Sequence, residues 1–100
     1  MIHLDVRLTY VPGQEADGAA YERTVLAYWR EHGGEVLAAF RPAAWANGAR
    51  AADEIQHLRI PSRAQLDAYM ADPRRVALAH VRDRTIASTE VVMSEEVVDR

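Results

Sequence analysis

The sequence predicts one α+β domain: a four-stranded antiparallel sheet with two helices on one face, in the order β-α-β-β-α-β. Three observations carry that expectation. Residues 1–11, MIHLDVRLTYV, alternate strictly between apolar and polar side chains, the period of a half-buried strand. A stretch with helical spacing follows, and then the chain reads as strand, strand, helix and strand again. Its 100 residues suit a single domain, 1–100, that buries roughly two-thirds of its extended-chain surface.

Each element has a local reason. In the first strand Ile2, Leu4, Val6, Leu8 and Tyr10 share one side, and His3, Asp5, Arg7 and Thr9 the other. Pro12 and Gly13 break it. Asp17 is placed to cap a helix running to about His32, with Tyr21, Val25, Tyr28, Trp29 and His32 on one stripe. Gly33 and Gly34 end that helix, and EVLAAFR (35–41) reads as the second strand. Residues 42–52 form a loop around the turn dipeptide Asn47-Gly48.

DEIQHLRI (53–60) is the third strand. Ser62 then caps a helix, with Gln65 as its capping-box partner and Leu66, Tyr69 and Met70 as its buried stripe. Asp72-Pro73 interrupts it and starts a further helix over RRVALAHVRD (74–83). Residues 85–98, TIASTEVVMSEEVV, complete the sheet. Two successive βαβ halves of this kind make a ferredoxin-like sandwich with strand order 4-1-3-2.

Composition narrows the functions. There is no cysteine, so disulfides and thiol chemistry are excluded, and a reducing, cytoplasmic setting is expected. All twelve basic residues are arginine, which removes lysine Schiff-base chemistry. Net charge is −3 with the signs interspersed, and no basic stripe suits nucleic acid. Asp5 and Arg7 rule out a signal-peptide core near residue 1, and no apolar run approaches the roughly 20 residues of a membrane span, so no membrane partner is expected. Gly33-Gly34 lacks the spacing and the lysine of a phosphate loop.

The phase of the strands points to a site. If Leu4, Val6 and Leu8 meet the helices, then His3, Asp5 and Arg7 face away from them. On the third strand Leu58 and Ile60 belong with the helices, which sends Ile55, His57 and Arg59 to that same open face. With Val91 and Met93 turned to the helices, Ser88, Glu90 and Val92 join them. A face that mixes apolar and charged groups signals a partner, and the economical one is a second copy packed sheet to sheet.

His57 can move a proton near neutral pH, with Arg59 to hold an oxyanion or a carboxylate. Asp5 across the strands would set its tautomer, because opposed side chains lie about 4.5–5.5 Å apart. The candidate catalytic residues are therefore His57, Asp5 and Arg59. The competing reading makes His57 an interface histidine within an ion-pair ladder, Asp5 with Arg59 and Arg7 with Glu90. Candidate substrate-binding residues are His3, Arg7, Glu90, Trp45 and Tyr28. Tyr28 and Trp29 also fit a core stripe, and Trp45 either covers a cavity or plugs the domain. His32 and His80 read as structural. His3, Asp5, His57 and Glu90 could only form a metal set against two nearby arginines, so no metal is expected.

YWREHGGEVLAAF (28–40) and ADPRRVALAHVRDR (71–84), with the element order, resemble the dimeric α+β barrel superfamily along the whole chain. The second segment is similar to the aspartate-proline … arginine-aspartate helix of its unknown-function members. Antibiotic-biosynthesis monooxygenases, aromatic-polyketide cyclases and muconolactone isomerase are other members. The resemblance implies a homodimer, with substrate between sheet and helices or in loops near the barrel mouth, often without metal or organic cofactor. The asparagine, tryptophan and histidine of haem-degrading members find no alignment here, and no haem-ligand role passes to His80. The expectation is a cofactor-independent enzyme for a small aromatic or carbonyl-bearing metabolite, a cyclase, isomerase or monooxygenase. The alternative is a non-catalytic dimeric binding or accessory protein.

Overall fold

The computed structural model describes residues 1–43 and 52–100. The loop positions Trp45 and Asn47-Gly48 lie outside them. Strands β1 (Ile2–Tyr10), β2 (Glu35–Phe40), β3 (Glu54–Ile60) and β4 (Ile86–Glu95) form one antiparallel sheet in the order β2-β3-β1-β4, as predicted. Helices α1 (Glu15–Glu31), α2 (Arg63–Met70), α3 (Pro73–Val76) and α4 (Ala79–Thr85) make the second layer. The architecture is the ferredoxin-like α+β sandwich, a slab of 38 × 36 × 15 Å.

Strand alternation places the core. β1 contributes Ile2, Leu4, Val6 and Leu8, and β3 contributes Leu58 and Ile60, against Trp29, Leu66, Tyr69 and Ile86. Trp29 is 1 % exposed. Its ring meets Tyr69 edge-on at 5.0 Å, and its N–H donates to the Glu35 carbonyl at 3.1 Å. Gly33 has φ +87°, the left-handed turn that ends α1, and a Cβ on Gly34 would run into the Trp29 indole.

Several boundaries differ from the sequence reading. Gln14, not Asp17, holds the N-cap position of α1, because the Pro12-Gly13 turn closes early. Asp17 sits in the first turn, where a carboxylate still favours the helix N-terminus. Met70 is 49 % exposed rather than core, since Leu66 and Tyr69 already fill the contact and the next position turns outward. The predicted helix 74–83 is two pieces. The Leu78 N–H bonds back only three residues to Arg75, closing α3, and the Leu78 carbonyl then accepts from Val81 and Arg82 to start α4. Thr85 ends α4 with its hydroxyl on the Val81 carbonyl. β4 stops at Glu95, not Val98, because its partner β1 begins at Ile2, directly opposite.

Ser62 caps α2 as predicted: its Oγ accepts from the Gln65 N–H and donates to Gln65 Oε1. Asp72 caps α3 and ties it to α1. One carboxylate oxygen takes the Arg74 N–H at 2.9 Å; the other lies 2.9 Å from His32 Nε2 and 2.8 Å from Arg74 Nη2. Hydrogen bonds from Arg74 and then from His32 hold the Asp72 carboxyl well below the usual carboxylate range. The Asp72-Pro73-Arg74 run is therefore a junction between helices. His80 likewise serves its own backbone, with Nδ1 3.1 Å from the Ala77 carbonyl oxygen.

Candidate functional site

The register puts the predicted polar residues on one face. Asp5 pairs with His57 on one side and Val92 on the other; His3 pairs with Arg59 and Ser94, and Arg7 with Ile55 and Glu90. Directly opposed residues share a face, so His3, Asp5, Arg7, His57, Arg59 and Glu90 all emerge away from the helices. Val91 and Met93 oppose Val6 and Leu4 and turn to the helix side.

At the centre, Asp5 Oδ2 lies 3.6 Å from His57 Nε2. Asp5 Oδ1 lies 3.5 Å from Arg7 Nε, and it is buried with no hydrogen-bond donor among the described residues. The Phe40 ring stands edge-on to the His57 imidazole at 5.6 Å. In β2 the register jumps between Val36 and Ala38, so Leu37 is an extra residue in the ladder. Leu37, His3, Asp5, His57 and Ser94 line a recess of about 220 Å³. Leu37, Phe40 and Val92 are 46 %, 52 % and 58 % exposed, so this side of the sheet is apolar as well as charged.

Other predicted residues are engaged by specific partners. Arg59 turns to the β2 edge, with Nη2 2.8 Å and Nε 3.2 Å from Glu35 Oε2, and is not Asp5's ion-pair partner. His3 Nε2 meets Glu96 Oε1 at 2.8 Å, and that hydrogen bond lowers the Glu96 pKa. Tyr28 lies beneath the Arg74 guanidinium, 4.1 Å from its ring centroid, on the helical layer and so away from the His57 recess. Trp45 is outside the described residues. Among the described residues no three His, Asp or Glu side chains gather as a metal-ligand set.

A further concavity lies between the sheet and the helices, where the family resemblance would put a substrate, but none of its lining residues was a candidate from the sequence. It measures about 320 Å³ and is lined by residues of β1, α1, β3, α2, α3, α4 and β4, among them Glu22, Gln56, Tyr69, Arg75 and Arg82. Gln56 is 1 % exposed, and its amide donates to Glu22 Oε1 at 2.8 Å and to Glu54 Oε2 at 2.7 Å. Burial is the main cause that pushes the Glu22 carboxyl upward, with the Glu54 charge adding to it and the Gln56 hydrogen bond and Arg75 opposing. Burial likewise raises the Tyr21 and Tyr69 hydroxyls. The one signal in the sequence was an amide at a core phase of the third strand, beside Leu58 and Ile60.

No protein-family model matches the chain. No curated protein matches it either. Solved structures do. A protein of unknown function from Rhodopseudomonas palustris superposes with a TM-score of 0.81 at 18 % identity, covering 96 % of this chain and 82 % of that one. A NIPSNAP domain protein from Burkholderia xenovorans gives 0.70 at 11 % identity over 100 % and 98 % of the two chains. An antibiotic biosynthesis monooxygenase gives 0.65 at 16 % identity over 97 % and 99 %. At such identities the likeness establishes a shared ferredoxin-like α+β fold, and fold alone does not carry a reaction. No helix among the described residues is long and apolar enough to cross a membrane.

Proposed function

We propose that the protein is a homodimeric, cofactor-independent enzyme that performs acid–base chemistry on a small aromatic or carbonyl-bearing metabolite. The observation that carries the reading is the approach of Asp5 to His57, 3.6 Å across neighbouring strands, at a recess walled by Leu37. His57 takes a proton from a C–H or O–H group of the substrate and returns it elsewhere. Asp5 holds the imidazolium that forms, and Arg59 at the rim of the same face supplies positive charge to the resulting oxyanion. The 3.6 Å separation exceeds a hydrogen bond, and another sheet laid over the recess would exclude water and strengthen the pair. His3 also lines the recess, and Arg7 and Glu90 pair on the same face. Cyclisation, isomerisation and cofactor-free oxygenation of an activated aromatic all begin with such a proton transfer. The monooxygenase-type structural neighbour is compatible with this class.

An alternative reading has its own support. Arg59 with Glu35, and His3 with Glu96, are ion pairs already closed within one chain, as an interface of a non-catalytic binding or accessory protein would have them. The experiment is deuterium uptake from D₂O at the α-carbon of 2-tetralone, followed by NMR beside native mass. On the enzymatic reading His57→Ala slows the protein-dependent exchange by about 10²- to 10⁴-fold and leaves a dimer. Equal exchange with and without His57, together with a changed mass, would favour the interface.

A further inference from the structure

The sheet ends on β4, and among the described residues no strand pairs with its outer edge. From Ser88 to Glu95 it follows β1 without a bulge, and it holds no proline. Such an edge invites another strand through its unpaired N–H and C=O groups, and proteins commonly blunt it with a bulge, a proline, a charge or a covering element. No element covers this one, since every residue of β4 after Ile86 is exposed. Val91 and Met93 stand about half in solvent on the helix side, and Val92 does so on the open side. A second copy stacked on the open face would cover Val92 and leave Val91 and Met93 bare. The glutamates of the strand are its remaining protection, and their spacing decides what can pair with it.

We infer that β4 is an interface of its own, pairing antiparallel with β4 of a second copy about a two-fold axis at Val92 and joining two four-stranded sheets edge to edge. The charges select both the partner and the register. In that alignment Glu90 opposes Ser94 of the second copy, Glu95 opposes its Thr89 and Glu96 opposes its Ser88, so each carboxylate meets a hydroxyl. Val91 opposes the second copy's Met93, and Val92 meets its own twin, so apolar residues pair on both sides of the joined sheet. Moving the axis to Met93 sets Glu90 against Glu96, and moving it to Val91 sets Glu90 against Val92 and Glu95 against Ala87. A self-complementary strip is what two-fold pairing requires. This contact lies in the plane of the sheet. It is a different surface from the sheet-to-sheet pair of the proposed function and does not depend on it; both contacts together would make a tetramer.

The test uses Val91→Cys and Met93→Cys, because both residues turn to the helix side, away from the open face. The chain has no cysteine, so each variant carries a single thiol. Directly opposed residues lie about 4.5–5.5 Å apart, within reach of a disulfide, whereas diagonal neighbours lie about 7–8 Å apart. Mild oxidation of the two variants mixed together is expected to give the mixed disulfide in about tenfold excess over either homodimer. The second measurement is sedimentation velocity in a Phe40→Arg background, which puts a charge on the open face at the far edge of the sheet. Association persists there. Adding Thr89→Glu, which sets a carboxylate against Glu95 of each opposite copy, weakens it about tenfold, and Glu95→Arg in the same chain restores it. A mixed disulfide no more abundant than its random share overturns the inference. So does a Phe40→Arg chain that is monomeric where the wild type associates, which would leave stacked faces as the sole contact. The proposed function is read separately, by the His57-dependent deuterium exchange, so failure of one and failure of the other give different results.

Discussion

The two faces of the sheet are written by alternate residues of the same strands. Toward the helices, β1 places Leu4, Val6 and Leu8 at 9 % exposure or less, and a charged intruder, Glu22, is gripped by a buried amide. Away from the helices, the residues between them are His3, Asp5 and Arg7, with Leu37, Phe40 and Val92 about half in solvent. The helical side is a finished core with a small chamber left in it. The other side has the apolar content of an interface and the ion pairs of a surface. The core and the proposed site are thus separated by a single step of strand alternation, so substitutions one residue apart should report on different properties.

The contrast is most vulnerable in the core. Trp29→Ala removes the largest buried ring among the described residues, its contact with Tyr69 and its hydrogen bond to Glu35. The expected loss is about 3–5 kcal/mol in chemical denaturation. A loss under about 1 kcal/mol would mean that the helical layer is not the core described. Next, Val92→Arg places another cation beside Asp5 on the open face. It should leave the melting curve of the monomer nearly unchanged while weakening self-association about 100-fold in sedimentation velocity, because a long charged side chain would have to be desolvated between the sheets. A wild-type chain that stays monomeric at high concentration would end the dimer proposal.

The smallest effect concerns Glu22. Its folded-state pKa is raised, chiefly by burial. Relative to the unfolded chain it therefore favours folding while protonated, and that contribution is lost as pH rises through the folded value. Glu22→Gln should melt at a higher temperature than the wild type at about pH 8, with the gap closing near pH 3, below the unfolded glutamate value of 4.5. The reverse trend would mean that the neighbouring Arg75 outweighs desolvation.

Much of this contrast is legible in the residues alone. The strict alternation of residues 1–11 and the shared phase of Leu58 and Ile60 place Asp5 and His57 on one face, and strand order makes them neighbours. What cannot be read there depends on contacts distant in the chain or on irregular backbone. Gln56 ties the sheet to α1 because Glu22, 34 residues earlier, arrives over it. Nothing in EVLAAF announces that Leu37 is an extra residue in the ladder. Nor does RRVALAHVRD, whose apolar residues suit a continuous helix, reveal the break at Ala77-Leu78, which is set by packing and by three-residue hydrogen bonding.

One detail of α3 reaches further. Arg74 and Arg75 are chemically identical and adjacent, yet Arg74 is a rivet between two helices while Arg75 lines the chamber. Only the winding that Asp72 and Pro73 impose tells them apart. A one-residue insertion after Pro73 would rotate the pair by about 100°. It would carry Arg74 into the place of Arg75 and Arg75 into that of Val76, unfastening the joint and reshaping the chamber in a single event, so any tolerated change of length must fall beyond Val76, where the turn into α4 can absorb it.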